Sequence, residues 1–124
     1  MSVGMPAALY LDEFGAHVAA AFGGELPYHV GSSLKQKRDW RDVDVRLILD
    51  DEEYARLGLG DPEHTHQNAK WVALTLAFTA LGRQMTGLPI DFQIQQRTYA
   101  NKTYGTRDHP RSALGIHVQI RSRA

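Results

Sequence analysis

Two aspartates stand at the entrance of an apolar run in the stretch "DVDVRLIL". The aliphatic and β-branched residues of Val43–Leu49 predict a β-strand. Because alternate residues of a strand point to the same face, Asp42 and Asp44 are expected to lie side by side, with the valine between them turned into the core. Two carboxylates held this close repel each other unless a cation, a proton or a basic group lies between them. The chain must therefore fold so that positive charge reaches this point.

The length and composition are those of one small domain. The chain has 124 residues, of which 43% are hydrophobic, and this suits a single domain over residues 1–124 with a modest core. It contains no cysteine, which excludes disulfides and thiolate metal sites. A secretory signal consists of a charged segment followed by an apolar stretch, and we find no such pattern in the sequence. The longest apolar run, Trp71–Gly82, is shorter than the ~20 residues that span a bilayer. We therefore expect a cytoplasmic protein with no membrane role.

Hydrophobic periodicity predicts the elements of the first half. Apolar residues recur at spacings of three and four between Pro6 and the Gly23–Gly24 pair, which predicts an amphipathic helix. Its apolar face comprises Leu11, Phe14, Val18, Ala21 and Phe22. A short apolar run, "YHV", ends at Gly31, and the strand Val43–Leu49 comes next. The stretch "DEEYARLG" is then predicted to be a short helix, because its first turn carries the acids that the helix dipole favours there.

The second half continues the alternation of helix and strand. A long helix is predicted from about Thr65 to a stop at Thr86–Gly87. The stretch "PIDFQIQ" is predicted to be a strand with Ile90, Phe92 and Ile94 on one face. A polar segment with room for one short helix follows, and the closing "IHVQIRSR" alternates as in a half-buried strand. The order α-β-(α)-β-α-α-β-loop-β predicts an α/β or α+β domain with helices packed on a mixed β-sheet.

A third acid points to metal chemistry. Asp91 stands near the start of its predicted strand, as Asp44 does in the earlier one, so three carboxylates meet at one sheet edge if the two strands are neighbours. Mg²⁺ prefers hard oxygen ligands of this kind. Such a trio can hold metal for an in-line phosphoryl displacement, and one carboxylate can also draw a proton from an attacking hydroxyl. We therefore predict that Asp42, Asp44 and Asp91 are the metal ligands and the catalytic residues.

The segment before the aspartates has the residues of a phosphate site. Gly31 and Ser32 offer backbone N–H groups, a hydroxyl and close backbone approach. Four cations lie between this turn and the strand, at Lys35, Lys37, Arg38 and Arg41. Their charge is complementary to that of phosphate groups.

Together these motifs resemble the nucleotidyltransferase superfamily, which includes DNA polymerase β, the minimal nucleotidyltransferases of toxin–antitoxin systems and the CCA-adding enzymes. The resemblance rests on "GS", nine intervening residues, "DVD" in a strand and "ID" in a later strand, and it covers Val30 to about Gln95. It implies a nucleotidyltransferase-like core in which Mg²⁺ is bound by the three acids. The contacts implied for a nucleoside triphosphate come from Gly31, Ser32, Lys35 and Arg41.

Three functions stay open on the sequence alone. The chain is an Mg²⁺-dependent enzyme that moves a nucleoside monophosphate to a hydroxyl acceptor, or an inactive nucleotide-binding or protein-interaction module of the same fold, or a structural protein with a coincidental motif. The sequence does not decide whether the acceptor is a protein, an RNA or a small molecule. It also does not decide whether the chain acts as an oligomer or with a partner subunit. Trp40 either covers the core or stacks on a base.

Overall fold

A computed structural model describes residues 3–35 and 41–117 and shows an α+β architecture with a four-stranded open mixed sheet. Five α-helices and four strands follow one another over these residues. In chain order they are α1 (Ala7–Ala21), β1 (Tyr28–Val30), α2 (Gly31–Leu34), β2 (Val43–Leu49), α3 (Asp51–Arg56), α4 (Ala69–Thr86), β3 (Ile90–Gln96), α5 (Arg97–Thr103) and β4 (Ser112–Ala113).

The sheet has the strand order β3-β2-β1-β4. Strands β2 and β3 are parallel, whereas β1 is antiparallel to both of its neighbours. A parallel pair needs a long crossover between its strands, and α3 and α4 supply that connection. The predicted α+β class with a mixed sheet is thereby confirmed.

One face of the sheet carries the core. The alternating positions of β2 and β3 that point to this face are fully buried and aliphatic or aromatic, as expected for side chains that alternate along a strand. Helices α1 and α4 cover them, with Phe92 at the centre. Its ring centroid lies 6.3 Å from that of Phe14 on α1 and 5.4 Å from that of Phe78 on α4. The opposite face of the same strands is polar, and this is the face that carries the candidate site.

Helix α4 also covers the free edge of β3. The indole Nε1 of Trp71 donates to the Ile94 carbonyl at 2.8 Å, and Nε of Arg83 donates to the Ile90 carbonyl at 3.0 Å. Between them, the Thr79 hydroxyl accepts from the Phe92 N–H at 3.1 Å. Unpaired edge groups invite pairing with another chain, so these bonds close that edge of the sheet.

Several predicted boundaries shift in the structure. Thr65–Gln67 forms a separate 3₁₀ turn, and α4 begins after Asn68, whose side chain accepts from the Trp71 N–H at 2.8 Å. The side-chain cap at Asn68 explains the later start. Ala21 is exposed because α1 ends there.

The predicted strand at the end of the chain is wrong at its start. Ile116 and His117 lie in a turn that follows Gly115, whose φ of +93° is a left-handed conformation incompatible with a strand. Residues 118–123 of that prediction lie outside the described residues. Strand β4, Ser112–Ala113, lies a few residues earlier.

Candidate functional site

Asp44 and Asp91 are direct neighbours across the parallel pair of β2 and β3. The register pairs the two residues with each other, and both side chains point to the polar face of the sheet. The side chain of Asp44 is 25% exposed and that of Asp91 is 38% exposed. The structure therefore brings together two of the three acids that the sequence singles out, although they lie far apart along the chain.

The Gly-Ser turn is pressed against the same carboxylate. Val30, the last residue of β1, pairs with Asp44 in the sheet, so Gly31 leaves the strand directly beside it. A Cβ added at Gly31 would collide with Oδ2 of Asp44, and the φ of Gly31 is +80°. Only glycine meets both conditions easily, since it has no Cβ and adopts positive φ at little cost. Ser32 follows as a half-buried residue in the first turn of α2.

A buried hydrogen bond links two residues that flank this turn. Nε2 of His29 and Oγ of Ser33 are hydrogen-bonded at 2.7 Å, and the two residues are 7% and 1% exposed. Burial lowers the pKa of His29, which keeps the imidazole neutral at neutral pH. The position of Gly31 and Ser32 thus depends on a polar contact beneath the surface.

An arginine lies between the two acids. Nη2 of Arg46 is 3.7 Å from Oδ1 of Asp44 and 3.4 Å from Oδ2 of Asp91. Nη1 of Arg46 donates to the backbone carbonyl of Asp91 at 2.6 Å. The basic group that two neighbouring carboxylates require is therefore supplied from within the same strand.

The electrostatic balance at Asp44 still favours further positive charge. Burial raises the pKa of the Asp44 carboxyl above its ordinary value, and the guanidinium of Arg46 opposes that rise. The negative charges of Asp91 and Asp42 raise it further. Binding a proton or an additional cation stabilises a carboxylate in such surroundings.

The remaining predicted residues are more loosely placed. Asp42 and Arg41 are exposed and precede β2, and Lys35 is exposed, with its Nζ donating to the Asp108 carbonyl at 3.2 Å. Over residues 3–35 and 41–117, no three His, Asp or Glu side chains converge closely enough to hold a metal ion as they stand. Lys37, Arg38 and Trp40 lie outside the described residues.

A cleft of about 280 Å³ opens over the polar face of the sheet, beside the two acids. Its lining includes Gly31, Asp44, Arg46, Gln93, Gln95, Tyr104, His109 and Arg111. A second cleft of about 230 Å³ shares Gln93, Gln95 and Tyr104 and extends to Tyr99 and His66. The two clefts adjoin at these shared residues, and together we refer to them as the groove, which extends from Gly31 to Tyr99 and His66.

Several groove residues were missed by sequence reasoning. Arg46 follows Asp44 by two residues, and Gln93 and Gln95 follow Asp91 by two and four, so strand alternation alone places them on the acidic face. That signal was available in the sequence. His109 and Arg111 come from a loop, and no periodic pattern assigns a loop residue to a sheet face.

Comparisons of the chain with protein-family models, curated proteins and solved structures return no match. Among the residues described, no helix has the length and apolar character needed to cross a membrane.

Proposed function

We propose that this chain is an Mg²⁺-dependent nucleotidyltransferase, which moves a nucleoside monophosphate from a triphosphate to a hydroxyl acceptor. The observation that carries the proposal is the juxtaposition of three sequence-distant features. Asp44 and Asp91 are partners across two parallel strands, and Gly31 approaches the Asp44 carboxylate so closely that no side chain fits between them. Carboxylate oxygens and a close backbone turn are what metal-assisted phosphoryl transfer requires.

Asp44 and Asp91 have the chemistry of magnesium ligands, because they supply hard oxygen donors on one sheet face. The guanidinium of Arg46 contacts both carboxylates, and a bound magnesium ion would take its place. Asp42, at the entrance of β2, is the further ligand in this proposal, and its charge already acts on the Asp44 carboxyl. When bound, Mg²⁺ would neutralise charge on the triphosphate and favour loss of the acceptor proton.

The chain's own residues would then divide the work of the reaction. Gly31 and Ser32 bind phosphate oxygens through backbone N–H groups and a hydroxyl, and Lys35 and Arg41 add positive charge near the groove. The acceptor oxygen forms a bond to the α-phosphorus while the bond from that phosphorus to the pyrophosphate oxygen breaks. Asp91 accepts the proton that the acceptor loses.

The groove provides room for the rest of the nucleotide or for the acceptor. Its floor carries the amides of Gln93 and Gln95, which offer both donors and acceptors, and Tyr104 forms part of its wall. Aromatic rings and amides suit a planar base with hydrogen-bonding edges. Protein, RNA and small molecules all remain acceptors compatible with this groove.

Calorimetry with each of the four ribonucleoside triphosphates, with and without Mg²⁺, tests the proposal. We expect at least one triphosphate to bind in an Mg²⁺-dependent manner, and Asp91→Asn to abolish transfer of the labelled monophosphate. Glu13→Gln makes the same change of charge on the exposed surface of α1 and serves as the matched control. Absence of triphosphate binding under all conditions would refute the proposal.

A metal-free nucleotide-binding module is the second candidate. It is favoured by one observation, the guanidinium of Arg46 lying between Asp44 and Asp91, because their charge is then partly neutralised without a metal. This candidate predicts triphosphate affinity that is the same in EDTA as in Mg²⁺, and no transfer to any acceptor. Such a module acts through a partner subunit or as an oligomer.

A further inference from the structure

Arg46 is held more firmly than a surface arginine. Its side chain is only 13% exposed, and Nη1 donates to two backbone carbonyls, those of Val45 at 3.2 Å and Asp91 at 2.6 Å. Nη2 faces the carboxylates of Asp44 and Asp91 at the same time. The planar fork of an arginine suits several such acceptors at once, which a lysine ammonium does not match.

This position competes with a metal ion for the same oxygens. Magnesium sites in proteins place oxygen ligands at about 2.0–2.1 Å in near-octahedral geometry, and Asp44 and Asp91 would both have to supply such oxygens to hold the ion. Nη2 of Arg46 lies within 3.7 Å of an oxygen of each carboxylate. The guanidinium therefore fills the position in which the ion would bind, and it already neutralises part of the carboxylate charge that would attract the ion. Bound metal and a guanidinium in this place are therefore mutually exclusive.

We propose that Arg46 is a resident counter-cation that keeps the acid pair closed to free divalent metal until a triphosphate arrives. The inference rests on the proposed function and adds an order of events to it. A triphosphate offers the guanidinium a new anionic partner, and it offers the metal further oxygen ligands. Metal and nucleotide then enter together, and the protein without nucleotide binds divalent metal weakly.

Metal binding without any nucleotide provides the direct test. Mn²⁺, followed by electron paramagnetic resonance and calorimetry, is titrated into the wild-type chain and into Arg46→Gln. Removing the guanidinium leaves two facing carboxylates unneutralised, so we expect Mn²⁺ affinity to rise by about tenfold or more. The gain should vanish in the double variant Arg46→Gln/Asp44→Asn, which assigns it to this pair.

Two further variants control for charge and for folding. Arg56→Gln removes the same charge from α3, which follows the far end of β2 from Asp44 and where the Arg56 side chain is 72% exposed, and it should leave Mn²⁺ affinity unchanged. Arg46→Lys keeps a cation without the planar fork and should give an affinity between those of wild type and Arg46→Gln. Mn²⁺ should also raise the melting temperature of Arg46→Gln more than that of wild type, because a ligand stabilises the state that binds it.

The outcomes separate this inference from the proposed function. An Mn²⁺ affinity of Arg46→Gln equal to that of wild type overturns the inference, and so does an equal gain in Arg56→Gln. If Arg46→Gln folds only with Mn²⁺, that result supports the inference. If Arg46→Gln does not fold under any condition, an Arg46→Lys affinity no higher than wild type overturns it. A gain in Mn²⁺ affinity together with no triphosphate binding would uphold Arg46 as the counter-cation of the acid pair, and it would reject both the opening by triphosphate and the nucleotidyltransferase.

Discussion

At the scale of single residues, the site combines charge that is unfavourable for folding with contacts that hold it in place. Asp44 is partly buried beside two other acids, and the guanidinium of Arg46 compensates its charge directly. A folded-state pKa above the unfolded value means that ionised Asp44 lowers the free energy of unfolding at neutral pH. Residues that cost stability in this way are expected where chemistry needs them.

Asp44→Asn follows from that balance. We expect the melting temperature in EDTA at pH 7 to stay the same or to rise, because the substitution removes a charge that the folded state disfavours. Mg²⁺-dependent triphosphate binding should be lost at the same time. Thermal denaturation by circular dichroism and calorimetry measure the two effects, and Glu13→Gln again controls for charge. A sharp fall in melting temperature without metal would show that Asp44 serves the fold.

The Gly-Ser turn makes a second prediction at this scale. Ser32→Ala removes one hydroxyl contact to a charged group, worth about 1.5–3 kcal/mol, so triphosphate affinity should fall by about ten- to a hundredfold. Gly31→Val should do more harm, since its side chain would collide with the Asp44 carboxylate and a branched residue is strained at φ +80°. Calorimetry on both variants, with folding checked by circular dichroism, gives the order. If wild type and both variants bound the triphosphate with equal affinity, the turn would only connect β1 with α2 and would have no role in triphosphate binding.

At the scale of elements, the position of helix α4 depends on a glycine that lets it approach α1 and β3 closely, as well as on the burial of its apolar side chains. Gly82 lies in this helix where a Cβ would come within 2.9 Å of the Phe14 ring and 3.0 Å of Cγ2 of Ile90. Those two residues belong to α1 and β3, so the glycine sets the distance among three elements. Because α4 also covers the edge of β3, its position determines how Asp91 is presented to Asp44.

Gly82→Ala tests the packing of α4. Alanine is favoured over glycine inside a helix by about 1 kcal/mol, but overpacking a closed core costs about 1–3 kcal/mol. Both neighbours are fully buried and cannot swing into solvent, so we expect a net loss of stability. Chemical denaturation measures the free energy of unfolding, and Gln84→Ala, at an exposed position of the same helix, provides the control. A more stable Gly82→Ala protein would mean that the three elements adjust freely.

At the scale of the whole molecule, polar contacts join segments that lie far apart along the sequence. Arg97, the first residue of α5, pairs with Asp50 after β2 and with Glu25 before β1. Oδ1 of Asp12 on α1 accepts from the Gly115 N–H at 2.5 Å. Because Arg97 is paired with the carboxylates of Asp50 and Glu25, its charge is not free for a phosphate ligand.

The pH dependence of global stability is a property of this whole assembly. Burial lowers the pKa of His29 in the folded chain. Just below the ordinary pKa of histidine, the unfolded chain therefore binds a proton at His29 that the folded chain does not bind. Stability should therefore fall as pH drops below about 6.5, the unfolded value, towards the lower folded value. His64 acts in the opposite direction, because its hydrogen bond to Asp61 raises its pKa, and that contribution is lost as pH rises.

His29→Gln separates the two contributions. Glutamine can retain a hydrogen bond to Ser33 but does not titrate, so the loss of stability that wild type shows as pH falls below about 6.5 should be reduced in the variant. Urea denaturation at a series of pH values measures it. Identical pH profiles for wild type and His29→Gln would place the pH sensitivity elsewhere.

The sequence by itself determined the alternation of helices and strands and the residues that line the core. Periods of two and of 3.6 report which face of an element is apolar, and that is local information. The same period of two was enough to put Asp44 and Asp91 on the polar faces of their strands. Element ends were less determined, as the start of α4 and the turn at Ile116 show, because caps and left-handed residues act at single positions.

Only the tertiary structure decided which strands are neighbours and in what register. Asp44 faces Asp91, and Gly31 reaches Asp44, because β2 pairs in parallel with β3 and antiparallel with β1. A shift of two residues between β2 and β3 would keep the same faces buried but would separate Asp91 from Asp44, and a shift of two between β1 and β2 would move Gly31 away from Asp44; nothing in the local pattern forbids either shift. The position of Arg46 between the two acids depends on the same pairing, since the charge of a single side chain does not reveal which partners it will meet across a sheet.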